Sequence, residues 1–410
     1  MNTTEDRLRD AYRAATEIIR PDSIPALPEP TGPKRSKTRS RRARVMIPLA
    51  AAAAVVALAA VTPALTGVFG NRSAAPRLPT PPEAPAGTAY VINSGGGTVT
   101  PIDLATNTPG KPIKASGDVE VVAIAIAPDG KTAYVATGPS NTVTPSSQAV
   151  EPIDLATNTV GQPIDLTQPP DQIVITPDGK TAYVINGFPS RTVTPVNLAT
   201  STPGEPVTLS VEPLAIAMSP GGEAYVAIAT ETGTTAYEFM PIDLATNELG
   251  TPVTLSSEPD AIAFAPDGKT AYVLGQSSST VITVTPIDLT TNTAGNPINI
   301  TTTPMPARMY GQPLAIAITP DGTTAYVADG ASSTVTPIDL ATGTPGQPIS
   351  LSGKPGADAI AISANGAAAY VANQPSGTVT PIDLFTNTPE RPIQIGRGWD
   401  SGFEAIVTVP

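Results

Sequence analysis

Residues 124–135 read Ile-Ala-Ile-Ala-Pro-Asp-Gly-Lys-Thr-Ala-Tyr-Val: two apolar runs on either side of Pro-Asp-Gly. Pro presets φ and Gly supplies a positive φ, so this stretch predicts two short strands joined by a tight turn. The second strand of the pair recurs as a Tyr-Val dipeptide at Tyr90, Tyr134, Tyr183, Tyr225, Tyr272, Tyr326 and Tyr370. The successive spacings are 44, 49, 42, 47, 54 and 44 residues. A period in the forties built from short strands indicates a β-propeller.

Each repeat also contains two further strands. After Tyr-Val comes Thr-Val-Thr-Pro-Ile-Asp-Leu, as in residues 98–104, then a polar turn and a fourth strand such as residues 162–166. Seven units of four strands predict an all-β, seven-bladed propeller. The first unit lacks its own first strand, and residues 404–410 have the pattern of that strand. We therefore expect the C-terminal strand to close the ring, and Pro101 to cause a bulge in its strand because it has no N–H.

Three of the units contain Tyr-Val-x-Asn, ending at Asn93, Asn186 and Asn373. On this motif residues 88–410 resemble the YVTN-repeat β-propellers and, more loosely, the lactonase-like seven-bladed superfamily. The resemblance implies a bacterial protein that works outside the cytoplasm. It also implies that any hydrolase of this superfamily would use His residues or a metal-bound cluster at the mouth of the channel.

The chain before the repeats has a different composition. Residues 34–44 contain seven basic side chains, and residues 45–70 contain no charged side chain. As a helix, residues 45–70 exceed the roughly 30 Å hydrocarbon core, and the basic flank predicts a cytoplasmic N-terminus. We expect a single transmembrane helix at 45–70, a Pro-rich spacer at 71–87, and a propeller that lies outside the cell membrane. A cleaved signal peptide is the alternative, with an unusually long basic region.

Residues 1–44 form the predicted cytoplasmic tail. Apolar residues at helical spacing in residues 4–19 predict a short amphipathic helix, and a poorly ordered tail is the alternative. The basic cluster is expected to contact anionic lipid headgroups. In composition, the tail and span together resemble the tails of actinobacterial single-pass membrane proteins.

The composition excludes several classes of function. The chain contains no His and no Cys, which excludes His-based catalytic triads, thiolate or imidazole zinc sites and disulfides. Residues 1–44 have a net charge of +5 (11 basic, 6 acidic) and residues 71–410 one of −17 (12 basic, 29 acidic), which together give the −12 of the whole chain. An acidic propeller is a poor match for nucleic acid.

The loops between second and third strands, and between blades, differ from blade to blade. Binding sites concentrate on loops that a rigid scaffold positions. The predicted ligand-binding residues in these segments are Phe188, Tyr237, Phe239, Arg308, Tyr310 and Trp399. The alternative is that the aromatic side chains fill gaps between blades.

A second set of candidates stands six residues before the turn proline, at the start of each innermost strand. Four of these seven positions are carboxylates: Asp171, Asp260, Asp358 and Glu404. A ring of carboxylates at the channel mouth could hold a cation such as Ca²⁺ or a cationic group of a ligand, and no other cofactor is expected. The alternative is a set of solvated charges. Six further aspartates recur once per blade after the third strand and are interpreted as turn caps rather than metal ligands: Asp103, Asp154, Asp243, Asp288, Asp339 and Asp383.

These observations lead to three hypotheses of function. The favoured one is a membrane-anchored module that binds a cell-envelope protein or glycan without catalysis. The second is a lactonase-type or glycan-directed hydrolase that uses the channel-mouth carboxylates as acid and base. The third is a purely structural surface protein.

Overall fold

The computed structural model describes most of the repeat region. The described residues are 87–139, 148–187, 190–209, 213–231, 235–243, 246, 248–302, 314–352, 356–396 and 405–409. The predicted tail, the predicted span at 45–70 and most of the predicted spacer lie outside them. Among the described residues there is no helix of sufficient length and hydrophobicity to cross a membrane.

The strands form seven antiparallel sheets, one for each predicted blade. Blade 1 contains β1 (Thr88–Asn93), β2 (Thr98–Asp103), β3 (Thr108–Pro109) and β4 (Ile113–Lys114). Blade 2 contains β5 (Val119–Ile126), β6 (Thr132–Pro139), β7 (Ala149–Asp154), β8 (Thr159–Val160) and β9 (Ile164–Asp165). Blade 3 contains β10 (Pro170–Ile175), β11 (Thr181–Asn186), β12 (Thr192–Asn197), β13 (Thr202–Pro203) and β14 (Val207–Thr208). Blade 4 contains β15 (Pro213–Met218), β16 (Ala224–Glu231), β17 (Thr235–Ile242) and β18 (Val253–Leu255).

The remaining blades repeat this arrangement. Blade 5 contains β19 (Glu258–Phe264), β20 (Thr270–Ser278), β21 (Val281–Asp288), β22 (Thr293–Ala294) and β23 (Ile298–Thr301). Blade 6 contains β24 (Leu314–Ile318), β25 (Thr324–Asp329), β26 (Thr334–Asp339), β27 (Thr344–Pro345) and β28 (Ile349–Ser350). Blade 7 contains β29 (Ala359–Ile362), β30 (Ala368–Asn373), a 3-10 helix (Gln374–Ser376), β31 (Thr378–Asp383), β32 (Thr388–Pro389) and β33 (Ile393–Gln394). The last strand is β34 (Ile406–Val409).

The predicted closure of the ring is confirmed. β34 pairs antiparallel with β1, with Ile406 opposite Val91 and Val409 opposite Thr88. The first strands of neighbouring blades contact each other in a closed cycle: β5, β10, β15, β19, β24, β29, β34 and again β5. The chain is therefore a seven-bladed β-propeller whose first blade is completed by its last strand, so neither end of the array leaves an open sheet edge.

The Pro-Asp-Gly segments form the predicted tight turns. Gly130 has a φ of +66°, and its N–H donates to the carbonyl of Ala127 at 2.9 Å. The less regular versions keep the geometry, since Gly222 and Gly366 also have positive φ. Glycine is favoured at these positions because a Cβ makes that conformation costly. The turns bring the first and second strands of each blade into register.

The predicted bulge at Pro101 is wrong. Tyr90 pairs with Pro101 in an uninterrupted register between β1 and β2. The irregularity lies instead in the fourth strand, which is split into β3 and β4 and leaves a gap opposite Pro101. The Pro101 carbonyl accepts a hydrogen bond of 2.7 Å from the N–H of Gly110 across this gap. The missing proline donor faces the split strand, so no ladder bond is lost.

The hydrophobic core is divided among the contacts between blades. Each cluster of buried apolar side chains combines residues of two neighbouring blades, and such a cluster is found for every pair around the ring. Tyr370 of blade 7 is typical, because it is completely buried and its hydroxyl donates to the Leu104 carbonyl of blade 1 at 3.2 Å. The repeated tyrosines therefore join blades as well as filling the core.

Candidate functional site

A β-bulge recurs near the start of the first strand in several blades, on the face at which these strands begin. In blades 2 to 5 the pairing of the first with the second strand skips one residue. The skipped residues are Val122, Asp171, Leu214 and Asp260. A bulge of this kind changes the direction of a side chain at the end of a strand. Asp171 and Asp260 are thus structurally equivalent, as their spacing in the sequence predicts.

Asp260 belongs to a cluster of titratable groups from two blades. It is half-buried at the start of β19, and Glu258 of the same strand accepts a hydrogen bond of 3.3 Å from the hydroxyl of Tyr237 in blade 4. Burial, together with the negative charge of Glu258, raises the pKa of Asp260 to about 7. Desolvation and the negative charges of Glu258 and Asp260 also raise the pKa of the Tyr237 phenol. This cluster therefore contains a carboxyl group that exchanges its proton near neutral pH.

Asp358 occupies the equivalent place in blade 7. Only 3% of its surface is exposed, and its Oδ2 accepts a hydrogen bond of 2.6 Å from the N–H of Gln374, the first residue of the 3-10 helix. Burial raises the pKa of Asp358 to about 6, and the hydrogen bond from Gln374 opposes that rise. The start of this strand is thus tied to the loop that follows Asn373 in the next strand.

The ring of carboxylates that the sequence predicts is only partly within the described residues. Asp171 is half-buried, whereas Glu404 lies outside them. Within the described residues no group of three or more His, Cys, Asp or Glu side chains is placed to hold a metal ion. A calcium site that involves Glu404 therefore remains a prediction.

The predicted aromatic site is also divided. Phe188, Arg308, Tyr310 and Trp399 lie outside the described residues. Phe239 is not available to a ligand, because it is completely buried and its ring stacks on Tyr225 at 5.0 Å between the centroids. For Phe239 the gap-filling alternative is correct. Tyr237 remains partly exposed beside Glu258.

The segment that carries Tyr237 and Phe239 is a strand and not a loop. β16 and β17 form a continuous ladder from Ala224 opposite Ile242 to Glu231 opposite Thr235. The residues inserted in blade 4 lengthen this hairpin. Alternation along β17 then turns Phe239 into the core between blades 4 and 5.

The aspartates that follow the third strands cap turns, as the sequence predicts. The Oδ1 atom of Asp103 accepts hydrogen bonds of 2.9 Å from the backbone N–H and the hydroxyl of Thr106, and these bonds lower its pKa. The same contact to the residue three positions later recurs at Asp154, Asp243, Asp288, Asp339 and Asp383. These carboxylates therefore serve as hydrogen-bonding caps of their own turns.

Two residues at the surface were missed by sequence reasoning. Glu258 contributes to the environment of Asp260, and the run Glu-Pro-Asp at 258–260 is a signal that places two carboxylates in one strand. Phe385 lies on the opposite face and is 61% exposed. Alignment of the repeats reveals it, because most blades have Ala at this turn position.

Comparison with known proteins shows a similarity of fold and no closer relationship. No protein-family model matches the chain, and no curated protein matches it in sequence. Solved structures that resemble it include Kuenenia stuttgartiensis hydrazine synthase, with a TM-score of 0.58 and 19% identity over 77% of this chain and 99% of that one. The periplasmic gluconolactonase of Pseudomonas aeruginosa has a TM-score of 0.58 and 18% identity over 79% and 99% of the two chains. A putative 6-phosphogluconolactonase of Bacteroides fragilis has a TM-score of 0.58 and 15% identity over 81% and 100% of the two chains. At these identities the likeness shows the propeller fold alone.

Proposed function

We propose that this protein is a binding module of the cell envelope. Its propeller, anchored by a single membrane span at residues 45–70, binds an envelope protein or glycan through the face at which the first strands begin. The observation that carries the proposal is the placement of carboxyl groups at equivalent strand starts on that face: Asp171, Asp260 and Asp358. A rigid ring that presents variable side chains at equivalent points is a common basis for recognition.

The charge of the face defines the kind of ligand. Carboxylates accept hydrogen bonds from sugar hydroxyls and pair with ammonium or guanidinium groups. They repel phosphate-rich polymers, in keeping with the net charge of −17 for residues 71–410. Cell-wall glycans and basic envelope proteins are therefore the proposed partners.

The test of binding uses the full-length chain in a detergent without a sugar headgroup. Asp171→Asn and Asp260→Asn each remove one carboxylate from a partly exposed position of the face with little change in shape, and Asp178→Asn removes a turn carboxylate elsewhere as the matched control. We expect the first two variants to lose an envelope partner that the parent and the control retain in a pull-down. Equal recovery by all four proteins would contradict this site.

The anchor has its own test. The proposed topology places residues 1–44 inside the cell and the propeller outside. Protease added to intact cells is expected to degrade the propeller and spare a tag at the N-terminus. A protected propeller, or a mature chain that begins after residue 70, would overturn the anchor.

A lactonase-type hydrolase is the second candidate. The observation in its favour is that the pKa values of Asp260 and Asp358 are raised to about 7 and about 6, the range in which a carboxyl group serves as general base or acid. The likeness to a gluconolactonase supports the fold only. A hydrolase predicts turnover of sugar lactones that rises through pH 6–7 and is abolished in Asp260→Asn. Lactone hydrolysis at the buffer rate, with or without added Ca²⁺, would exclude it.

A further inference from the structure

A cleft lies between blades 6 and 7 on the face of the Pro-Asp-Gly turns, opposite the proposed binding face. It has a volume of about 500 Å³, within the range of small-molecule sites. The turn residue Asp321 and Thr323 line it from blade 6, and Asn365, Leu384 and Phe385 line it from blade 7. The two blades are joined beside the cleft by a hydrogen bond of 2.8 Å from the hydroxyl of Tyr326 to Asn387.

Phe385 is the feature of this cleft that the fold does not require. It is the one large hydrophobic side chain that is exposed among the described residues. Five other blades have alanine at this position, namely Ala105, Ala156, Ala199, Ala245 and Ala341. The turn itself is unchanged, since Asp383 still accepts a 2.8 Å hydrogen bond from the N–H of Thr386. The aromatic ring of Phe385 is therefore exposed to solvent and is not needed for the geometry of the turn.

A second departure from the repeat changes the charge of the same place. In blades 2, 3 and 5 the residue after the Pro-Asp-Gly turn is a lysine: Lys131, Lys180 and Lys269. In blade 3 this lysine lies 3.4 Å from the turn carboxylate of Asp178. The corresponding residues at the cleft are Thr323 in blade 6 and Ala367 in blade 7. The described residues that line the cleft thus include neither Lys nor Arg.

We propose that this cleft binds a neutral saccharide. The face of Phe385 attracts the weakly positive C–H groups of a sugar ring, as it attracts the edge of another aromatic ring. Thr323, Asn365 and Asp321 line the same cleft, and their hydroxyl, amide and carboxylate groups suit the hydroxyl groups at the edge of a sugar. The carboxylate and the lack of cations disfavour phosphate and carboxylate ligands. This site is independent of the proposed function, because it lies on the other face.

The experiment measures binding of neutral disaccharides and tetrasaccharides of glucose, galactose, mannose and arabinose to the full-length chain, in a detergent without a sugar headgroup. Phe385→Ala restores the residue of five other blades, so it is expected to keep the melting temperature and weaken binding at least tenfold. Thr323→Lys restores the lysine of blade 3 and keeps the backbone N–H that donates to Asp321 at 3.1 Å. It is expected to block the cleft with the same effect.

The matched control is Lys180→Thr, the reverse change in blade 3. It is expected to bind saccharide like the parent. No binding by any member of the panel at millimolar concentration, or equal binding by the parent and Phe385→Ala, would overturn the proposal. Binding of choline but not of sugars, dependent on Phe385, would also overturn it and would assign the cleft to a cation.

Discussion

Replacing Asp260 by Asn is expected to stabilise the protein at pH 8 and to have little effect at pH 4. The pKa of this carboxyl is raised from 3.8 to about 7 in the folded protein. Between these values the folded state holds a proton that the unfolded state has lost, so the free energy of unfolding falls as the pH rises. Above pH 7 both states are ionised, and the full penalty of the buried charge remains.

The expected change in the free energy of unfolding follows from the pKa shift of Asp260. Three pKa units at about 1.4 kcal/mol each give an upper limit of about 4 kcal/mol. Asp260 is half-buried, so screening by solvent reduces the expected gain to about 1–2 kcal/mol. Thermal unfolding of the parent and Asp260→Asn at pH 4, 6 and 8 measures it. We expect the difference in melting temperature to grow with pH.

For the matched variant Asp178→Asn, the expected change of stability with pH has the opposite sign. Hydrogen bonds from Thr176 and Lys180 lower the pKa of Asp178, so its charge is favourable in the folded state. Asp178→Asn is therefore expected to lose stability at pH 8 relative to pH 4. If Asp260→Asn behaved like Asp178→Asn, or showed the same difference at every pH, the burial of the Asp260 charge would be refuted.

Three further predictions follow from the fold and the site. Deletion of residues 405–410 removes a strand whose Ile406 is completely buried, so we expect a loss of several kcal/mol or aggregation; a melting curve like that of the parent would contradict closure by this strand. Ca²⁺ is expected to raise the melting temperature of the parent but not of Asp260→Asn/Asp358→Asn, whereas equal curves in Ca²⁺ and chelator would mean solvated charges only. Phe239→Ala is expected to cost about 3–5 kcal/mol in urea unfolding because the ring is fully buried against Tyr225, and a cost below 1 kcal/mol would contradict this packing.

The fold was predictable because all the sequence features of the repeat indicate the same architecture. The Pro-Asp-Gly turns, the alternation around Tyr-Val and the incomplete first unit all indicate one closed propeller. The error at Pro101 came from a local rule applied without the neighbouring strand. A proline disturbs a ladder only where its missing N–H faces a partner, and here the fourth strand is split at that point.

The candidate site was harder to predict, since its chemistry depends on distant contacts. Spacing identified Asp260 and Asp358 as equivalent, but their raised pKa values come from burial and, for Asp260, from Glu258. The aromatic residues of blade 4 interrupt the repeat, and such an interruption predicts a loop. The period of two in residues 235–240 would have indicated a longer hairpin, with Phe239 inside it.

The strand that closes the ring has a consequence for how the protein is made. Ile406 pairs with Val91, so the first blade stays incomplete until almost the entire repeat region has been synthesised. Contacts at such sequence separation form slowly, and β1 keeps an unpaired edge in the meantime. A propeller that emerges in sequence order therefore carries that exposed edge until its last residues emerge, and it can aggregate through this edge until then.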